Sequence, residues 1–293
     1  MKIIDINEKE YPKVLRKIEN PPKKIYVEGD EKILNSNCIA VVGSRKNTKY
    51  GGKWCKKFVK ELVKYDLKIV SGMALGIDWV AHKEAIKEGG KTIAVLPSGL
   101  KNIYPKENIK LYEEIISNGG CVISEYEPYE EAESKKFLER NRIVAGLSAG
   151  TLVIEAGYRS GTRVTARFTI ENERPLFCVP SSLENIKGKT TNELIQQGAK
   201  LVTCVEDMFG DIYENNPESI FSKKEKEKNW LVNIPPDLIS VFKEIDNVPR
   251  DINYISRKTK LPISEVNYKI MLLQLEGKII EKPGHKFVRN EED

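Results

Sequence analysis

Between residues 38 and 203, short apolar runs alternate with stretches whose apolar residues recur at helical spacing. That alternation is the pattern of a parallel sheet wound on both faces with helices. The apolar runs are Cys38–Val42, Leu67–Val70, Thr92–Leu96, Cys121–Ile123, Thr151–Ile154 and Leu176–Val179, with Lys200–Thr203 as a seventh candidate. Their near-continuous apolarity suits strands covered on both sides. After the first, Trp54, Phe58, Leu62 and Tyr65 fall at helical spacing and read as core. The expected class is α/β with a doubly wound, mainly parallel sheet.

In such a sheet the carboxyl ends of the parallel strands share one edge, and ligands bind there where the strand order reverses. Four of the first five runs end in glycine, serine or arginine. The first stops at Gly43-Ser44-Arg45, the second opens into Ser71-Gly72 and then Gly76-Ile77-Asp78, the third into Pro97-Ser98-Gly99, and the fifth leads to Ser160-Gly161-Thr162. Glycine lets the backbone turn sharply, so that its N–H groups and the following helix N-terminus can face a phosphate. Ser44 adds a donor and Arg45 a planar fork. Gly43, Ser44, Arg45, Ser71, Gly72, Gly76, Ser160, Gly161 and Thr162 are therefore candidate anion-binding residues on one crest.

Several chemistries lack material. The five cysteines are odd in number and scattered, three of them in apolar runs, and read as free thiols acting as small hydrophobes. With two histidines and no Cys-x-x-Cys, no metal site and no cofactor is expected. Asp78 in a first helical turn suits the helix dipole, and His82 on an alanine-rich helix reads as a packing or hydrogen-bonding residue. No catalytic residue is assigned. No stretch approaches 18 apolar residues and the N-terminus has no signal-peptide core, so no membrane contact and a cytoplasmic location are expected. The net charge of +5 permits a polyanionic partner without requiring one.

Four segments are expected: an N-terminal extension packed on the sheet (1–36), the sheet domain (37–210), a linker of mixed charge (211–229) and a small C-terminal domain (230–293). The last shows three helical patterns: Leu238-Ile239 with Phe242 and Ile245, Ile252 with Ile255, and Val266, Ile270 and Leu273. Two β runs around Pro283-Gly284 follow. Three helices and a hairpin make a winged-helix-like candidate, with Ser264 as cap of its recognition helix. Residues 250–290 hold nine Lys/Arg and four Asp/Glu. That surplus suits nucleic acid, yet winged helices also dock proteins, and both readings stand.

The chain resembles the DNA-processing DprA/Smf family over roughly residues 11–210. The likeness rests on Val41-Val42-Gly43-Ser44-Arg45, Ser71–Asp78 with Ala81-His82, Thr92–Leu96, Tyr104-Pro105, Ser124-Glu125, Arg140-Asn141-Arg142, and Glu155-Ala156 with Ser160-Gly161-Thr162. The resemblance implies an extended Rossmann-like fold that dimerises. It also implies a protein that binds and protects incoming single-stranded DNA and loads the RecA recombinase onto it in natural transformation. It places Gly43, Ser44 and Arg45 on a phosphate-binding turn and Phe137-x-x-Arg140-Asn141-Arg142 on a second DNA-binding element, with Lys135 or Lys136 as a preceding cation. The chain departs from the family pattern in having Phe137-Leu138 for Phe-Pro and Pro180-Ser181 for Pro-Gly. It also begins where an N-terminal helical domain of many members would end, so any role of that domain is expected to be missing.

A single-strand binder pairs a cationic groove with an aromatic face for base stacking. Arg45, Lys136 and Arg140 are the candidate charges and Phe137 the candidate ring. Duller readings stand beside these: Phe137 as core, Asn141 as a cap of backbone groups, and Arg142 paired with an acid such as Glu155. Two functional alternatives also remain. One is a nucleoside-phosphate hydrolase of a related Rossmann-like type with Glu155 and Asp78 as acid and base. It lacks the expected glutamate, since Thr165 stands three residues after Thr162. The other is a nucleotide sensor whose crest holds a mononucleotide.

Overall fold

The computed structural model describes residues 1–158, 160–215, 234–246 and 248–290. They fall in two compact units, 1–220 and 221–293. In the first unit, nine strands form one sheet: β1 (Lys2–Asp5), β2 (Lys24–Gly29), β3 (Cys38–Gly43), β4 (Lys68–Ser71), β5 (Thr92–Val95), β6 (Cys121–Ser124), β7 (Thr151–Glu155), β8 (Leu176–Cys178) and β9 (Lys200–Leu201). Their order is β1-β2-β6-β5-β4-β3-β7-β8-β9. Neighbours from β6 to β9 run parallel, and β1 and β2 are antiparallel at one edge. The expected α/β class and the mainly parallel, doubly wound sheet are what the chain forms.

Helices α1 (Lys13–Arg16), α2 (Lys49–Lys64), α3 (Ile77–Lys87), α4 (Ile109–Ser117), α5 (Ser134–Gly146), α6 (Thr162–Glu171), α7 (Lys189–Gln196) and α8 (Glu206–Asn215) complete this unit. Strand alternation divides its core between the two faces. Ile25, Val27, Cys38, Ala40, Val42, Ile93, Val95, Cys121 and Ile123 join Ile143, Val144 and Leu147 of α5 in one cluster. Tyr26, Ala94 and Val122 point the other way and pack with Leu111, Tyr112 and Ile115 of α4. In α2 the buried stripe is Cys55, Phe58, Val59 and Leu62, so Trp54 and Tyr65 are only half-buried.

The first 36 residues do more than pack on the sheet, because β1 and β2 extend it through the register Tyr26↔Ser124 and Val27↔Ile123. Residues 211–215 of the expected linker are the end of α8. Residues 216–229, the first residues of the expected C-terminal domain and the acidic tail lie outside the described residues.

The second unit contains α9 (Ile239–Phe242), α10 (Ile252–Thr259) and α11 (Ile263–Leu275), and strands β10 (Arg250–Asp251), β11 (Ile279–Lys282) and β12 (Lys286–Arg289). The strands form an antiparallel sheet in the order β10-β12-β11. Val241, Phe242, Ile245, Ile255, Val266, Ile270, Leu273, Ile279 and Phe287 make its core. Asp251 caps α10 by accepting from the Tyr254 N–H at 2.7 Å. Ser264 is not a cap: Pro262 holds the N-cap position of α11 and Ser264 lies inside the helix.

Candidate nucleic-acid interface

From β3 the chain steps through β4, β5 and β6 to one side, then through β7, β8 and β9 to the other, so the order reverses between β3 and β7. A cavity of about 780 Å³ opens at the carboxyl ends of these strands. Its walls come from the turn after β3, the loop after β4, Tyr104 beyond β5, α5, and the loop after β7 with the start of α6.

The turn after β3 is held by the molecule's own groups. A Cβ on Gly43 would lie 2.6 Å from Ile77 Cγ1 and 2.8 Å from the Glu155 carbonyl oxygen, so only glycine fits between β7 and α3. The Ser44 N–H donates to the Glu155 carbonyl at 2.6 Å, and the Ser44 carbonyl accepts from the Ile77 N–H at 3.1 Å. Ser44 Oγ accepts from the Lys46 N–H at 3.2 Å. Glu155, 1% exposed, accepts from the Thr48 N–H at 2.7 Å, from Thr48 Oγ1 at 2.6 Å and from Asn185 Nδ2 at 3.0 Å. The N-terminus of α2 thus faces an internal carboxylate, which corrects the expectation that it faces a phosphate. Arg45 and Lys46 are left as exposed cations on the cavity rim.

Aromatic rings stand beside these cations. The Arg45 guanidinium lies 4.8 Å from the centroid of the Phe137 ring, and Tyr104 meets Phe137 edge-on at 5.4 Å. Phe137 is half-buried and lines the cavity, so it is wall and not core. Across the cavity Tyr158, 65% exposed, carries Lys189 Nζ 5.9 Å from its ring centroid. At the start of α6, Ser160 Oγ donates to Thr162 Oγ1 at 2.9 Å and accepts from the Thr162 N–H at 3.2 Å. Asn141 Nδ2 donates to the Gly161 carbonyl at 3.3 Å, tying α5 to the loop after β7.

The structure therefore brings Gly43, Ser44, Arg45, Gly72, Phe137, Arg140, Asn141, Ser160, Gly161 and Thr162 around one cavity. Several of the expected site residues have internal work. Arg140 is 3% exposed and donates through Nη1 to the Gly72 carbonyl at 2.6 Å and to the Val95 carbonyl. Burial pulls its pKa down to about 10, countered by the charge of Asp78, so it stays cationic inside the crest. Ser71 Oγ is buried and donates to the Val41 carbonyl at 2.7 Å. The Gly72 N–H donates to Asp78 Oδ2 at 3.1 Å. Gly76, at φ +83°, is where the crest turns meet: a Cβ there would lie 2.2 Å from the Ser44 carbonyl oxygen. Lys136 is 8% exposed and bonds the Glu131 carbonyl at 2.8 Å, Glu130 at 2.8 Å and Glu133 at 2.7 Å. Lys135 is solvent-exposed, pairs with Glu139 at 3.2 Å and does not line the cavity. Arg142 pairs with Glu125, not with Glu155.

The two carboxylates considered as acid and base are likewise committed. Glu155 braces Thr48 and Asn185. Asp78 accepts from the Gly72 and Ala74 amides; burial raises its pKa, opposed by Arg140 and those amides. His82 is buried with Nδ1 2.7 Å from Thr92 Oγ1. Thr92 Oγ1 donates to the Ile69 carbonyl, so the His82 Nδ1–H is the donor between them. Burial pulls His82 down to about 3. Four cysteines are free and buried, Cys204 is free and half-buried, and the described residues contain no metal-holding cluster.

Tyr104 lines the cavity and entered the sequence reading only within the Tyr104-Pro105 motif, while Lys46 and Tyr158, which also line it, were not singled out. Lys46 directly follows Arg45, and Tyr158 follows Gly157 in a polar loop, where an aromatic has no core to fill. Those neighbours are the only marks they carry.

The family model described as DNA recombination-mediator protein A matches residues 2–213. Protein Smf of Escherichia coli K12 is 35% identical over 280 residues, covering 94% of this chain and 74% of that one. DNA processing protein DprA of Streptococcus pneumoniae is 41% identical over 201 residues, 69% and 71% of the two chains. Among solved structures, S. pneumoniae DprA superposes with a TM-score of 0.68 at 40% identity, over 72% of this chain and 74% of that one. DprA of Helicobacter pylori, described for its single-stranded DNA binding mode, superposes at 0.65 with 33% identity, over 73% and 97%. On the extent of these matches, the chain belongs to the DprA/Smf family of DNA recombination mediators.

Proposed function

We propose that this protein binds single-stranded DNA on the crest of its first unit and, as a cytoplasmic homodimer, loads RecA onto the strand. The observation that carries the strand-binding reading is the pairing of the exposed cations Arg45 and Lys46 with the rings of Phe137, Tyr104 and Tyr158 around one cavity. Cations that track phosphates and rings that stack on any base are the two parts of a sequence-tolerant single-strand site. The strand-binding mode described for H. pylori DprA, at 33% identity, supports it. RecA loading and dimerisation rest on the family resemblance. The second unit, with three helices followed by a hairpin, is read as winged-helix-like.

Because Glu155 and Asp78 are held by internal donors, a binding role is favoured over a hydrolytic one. Two rim cations give a salt slope of about −1.4 in log K against log salt, at about −0.7 per phosphate neutralised. The test is binding of a labelled oligonucleotide, single-stranded against duplex, at two salt concentrations, for the wild type and Arg45→Ala. Preference for the single strand, with the slope shallower by about 0.7 in the variant, is expected. Unchanged affinity and slope in Arg45→Ala would move the site off the crest. Saturable mononucleotide binding without strand binding would favour the sensor. RecA loading is read separately, as faster RecA filament formation on protein-coated single strands.

A further inference from the structure

Among the described residues of the second unit, the longest helix turns an apolar face outward. Val266, Ile270 and Leu273 of α11 fill the core. At about 100° per residue, Ser264, Tyr268, Met271 and Leu275 fall together on another side. Tyr268 is 57% exposed, Met271 49% and Leu275 77%. Contiguous exposed apolar side chains mark interaction sites. The helix's one lysine does not serve this face: Lys269 pairs with Glu265 at 3.3 Å and donates to the Asp237 carbonyl at 2.5 Å. Helices that read duplex DNA present lysine or arginine to phosphates and bidentate donors to base edges. The centre of this face offers two hydroxyls and two apolar side chains.

The surroundings specify the partner. Residues 250–290 carry nine basic and four acidic side chains. The side chains of Lys260, in the turn that leads into α11, and of Lys282 and Lys286, on the hairpin, make no hydrogen bond or ion pair among the described residues. We propose that α11 is a protein-docking face for an acidic amphipathic helix, whose apolar ridge covers Tyr268, Met271 and Leu275 and whose carboxylates meet the unpaired lysines. Helix-in-groove recognition of this kind is read by apolar anchors at helical spacing, and lysine-rich flanks add attraction that salt screens.

The probe is a fluorescein-labelled 18-residue peptide with leucines on one helical face and glutamates elsewhere, titrated against the full chain. A control peptide replaces each leucine by serine at equal charge, and a 20-base-pair duplex is titrated in parallel. The wild type should bind the leucine peptide and not the control. Met271→Ser with Leu275→Ser should weaken binding at least tenfold, and Lys260→Glu should weaken it at low salt only. These positions are solvent-exposed, so single-strand binding by the first unit should be unchanged; Leu275→Ser alone serves if the double variant folds poorly. Equal peptide binding by the variants overturns the proposal. So does duplex binding that falls with Met271→Ser and Leu275→Ser, which would make α11 a DNA reader. So does self-association that Leu275→Ser abolishes, which would make the occupant a second copy.

Discussion

Arg140 separates support of the crest from contact with ligand. Its guanidinium is buried and donates to the carbonyls of Gly72 and Val95, which close the ends of β4 and β5, while Asp78 lies close enough to offset part of its desolvation. Arg140→Met keeps the length of the side chain and removes the charge and the donors. A hydrogen bond from a charged group contributes about 1.5–3 kcal/mol. Two orphaned carbonyls, less the packing that methionine restores, amount to about 3–5 kcal/mol, the range for breaking a buried polar pair. With a urea slope of about 3 kcal/mol/M, the unfolding midpoint of the first unit should fall by about 1–1.7 M. The assay is urea unfolding followed by Trp54 and Trp79 fluorescence and by circular dichroism, with Arg45→Met in parallel. Arg45 is exposed, so Arg45→Met should shift stability by no more than about 0.5 kcal/mol while weakening strand binding. An Arg140→Met protein with the wild-type midpoint and no strand binding would refute the structural role.

Further outcomes follow from the same geometry. Gly76→Ala sets a Cβ 2.2 Å from the Ser44 carbonyl at a φ of +83°, and should cost at least about 2 kcal/mol by urea unfolding and weaken strand binding with it. His82, held near a pKa of about 3 when folded against about 6.5 unfolded, takes its proton first in the unfolded chain, so its stabilising contribution is complete above pH 6.5 and is lost as pH falls toward 3. His82→Asn keeps a donor for Thr92, and its stability should fall less steeply than the wild type's between pH 6 and 4, at up to about 1.4 kcal/mol per pH unit. Lys135→Ala should leave the urea midpoint unchanged, whereas Lys136→Ala, which strips Glu131, Glu130 and Glu133 of their partner, should lower it.

The sheet was legible because its strands are nearly all apolar while the helices between them are not, and period alone separates the two. The crest was legible because glycine marks places where backbones meet, as at Gly43 and Gly76. What glycine does not reveal is whether it approaches a phosphate or another part of the chain, and both of these meet protein. The charges were the least readable. Arg45 and Arg140 look alike in sequence, yet one lies on the rim and the other under it, since burial depends on Gly72, Asp78 and Val95 from distant segments. β1 escaped notice because Lys-Ile-Ile-Asp is four residues with charges at both ends, and only pairing with β2 makes it a strand.

The edge pair β1–β2 also sets an order of events during synthesis. β2 pairs with β6, so Gly29 must wait for Cys121, about ninety residues later, before it can join the sheet. At ribosomal rates of about 5–20 residues per second, the first strands leave the tunnel roughly 5–18 s before their template exists. Over that interval Ile4, Ile25 and Val27, all buried in the finished molecule, lack their cover. The flanking lysines Lys2, Lys23 and Lys24 are placed to keep the nascent segment soluble and apart from its neighbours on a polysome.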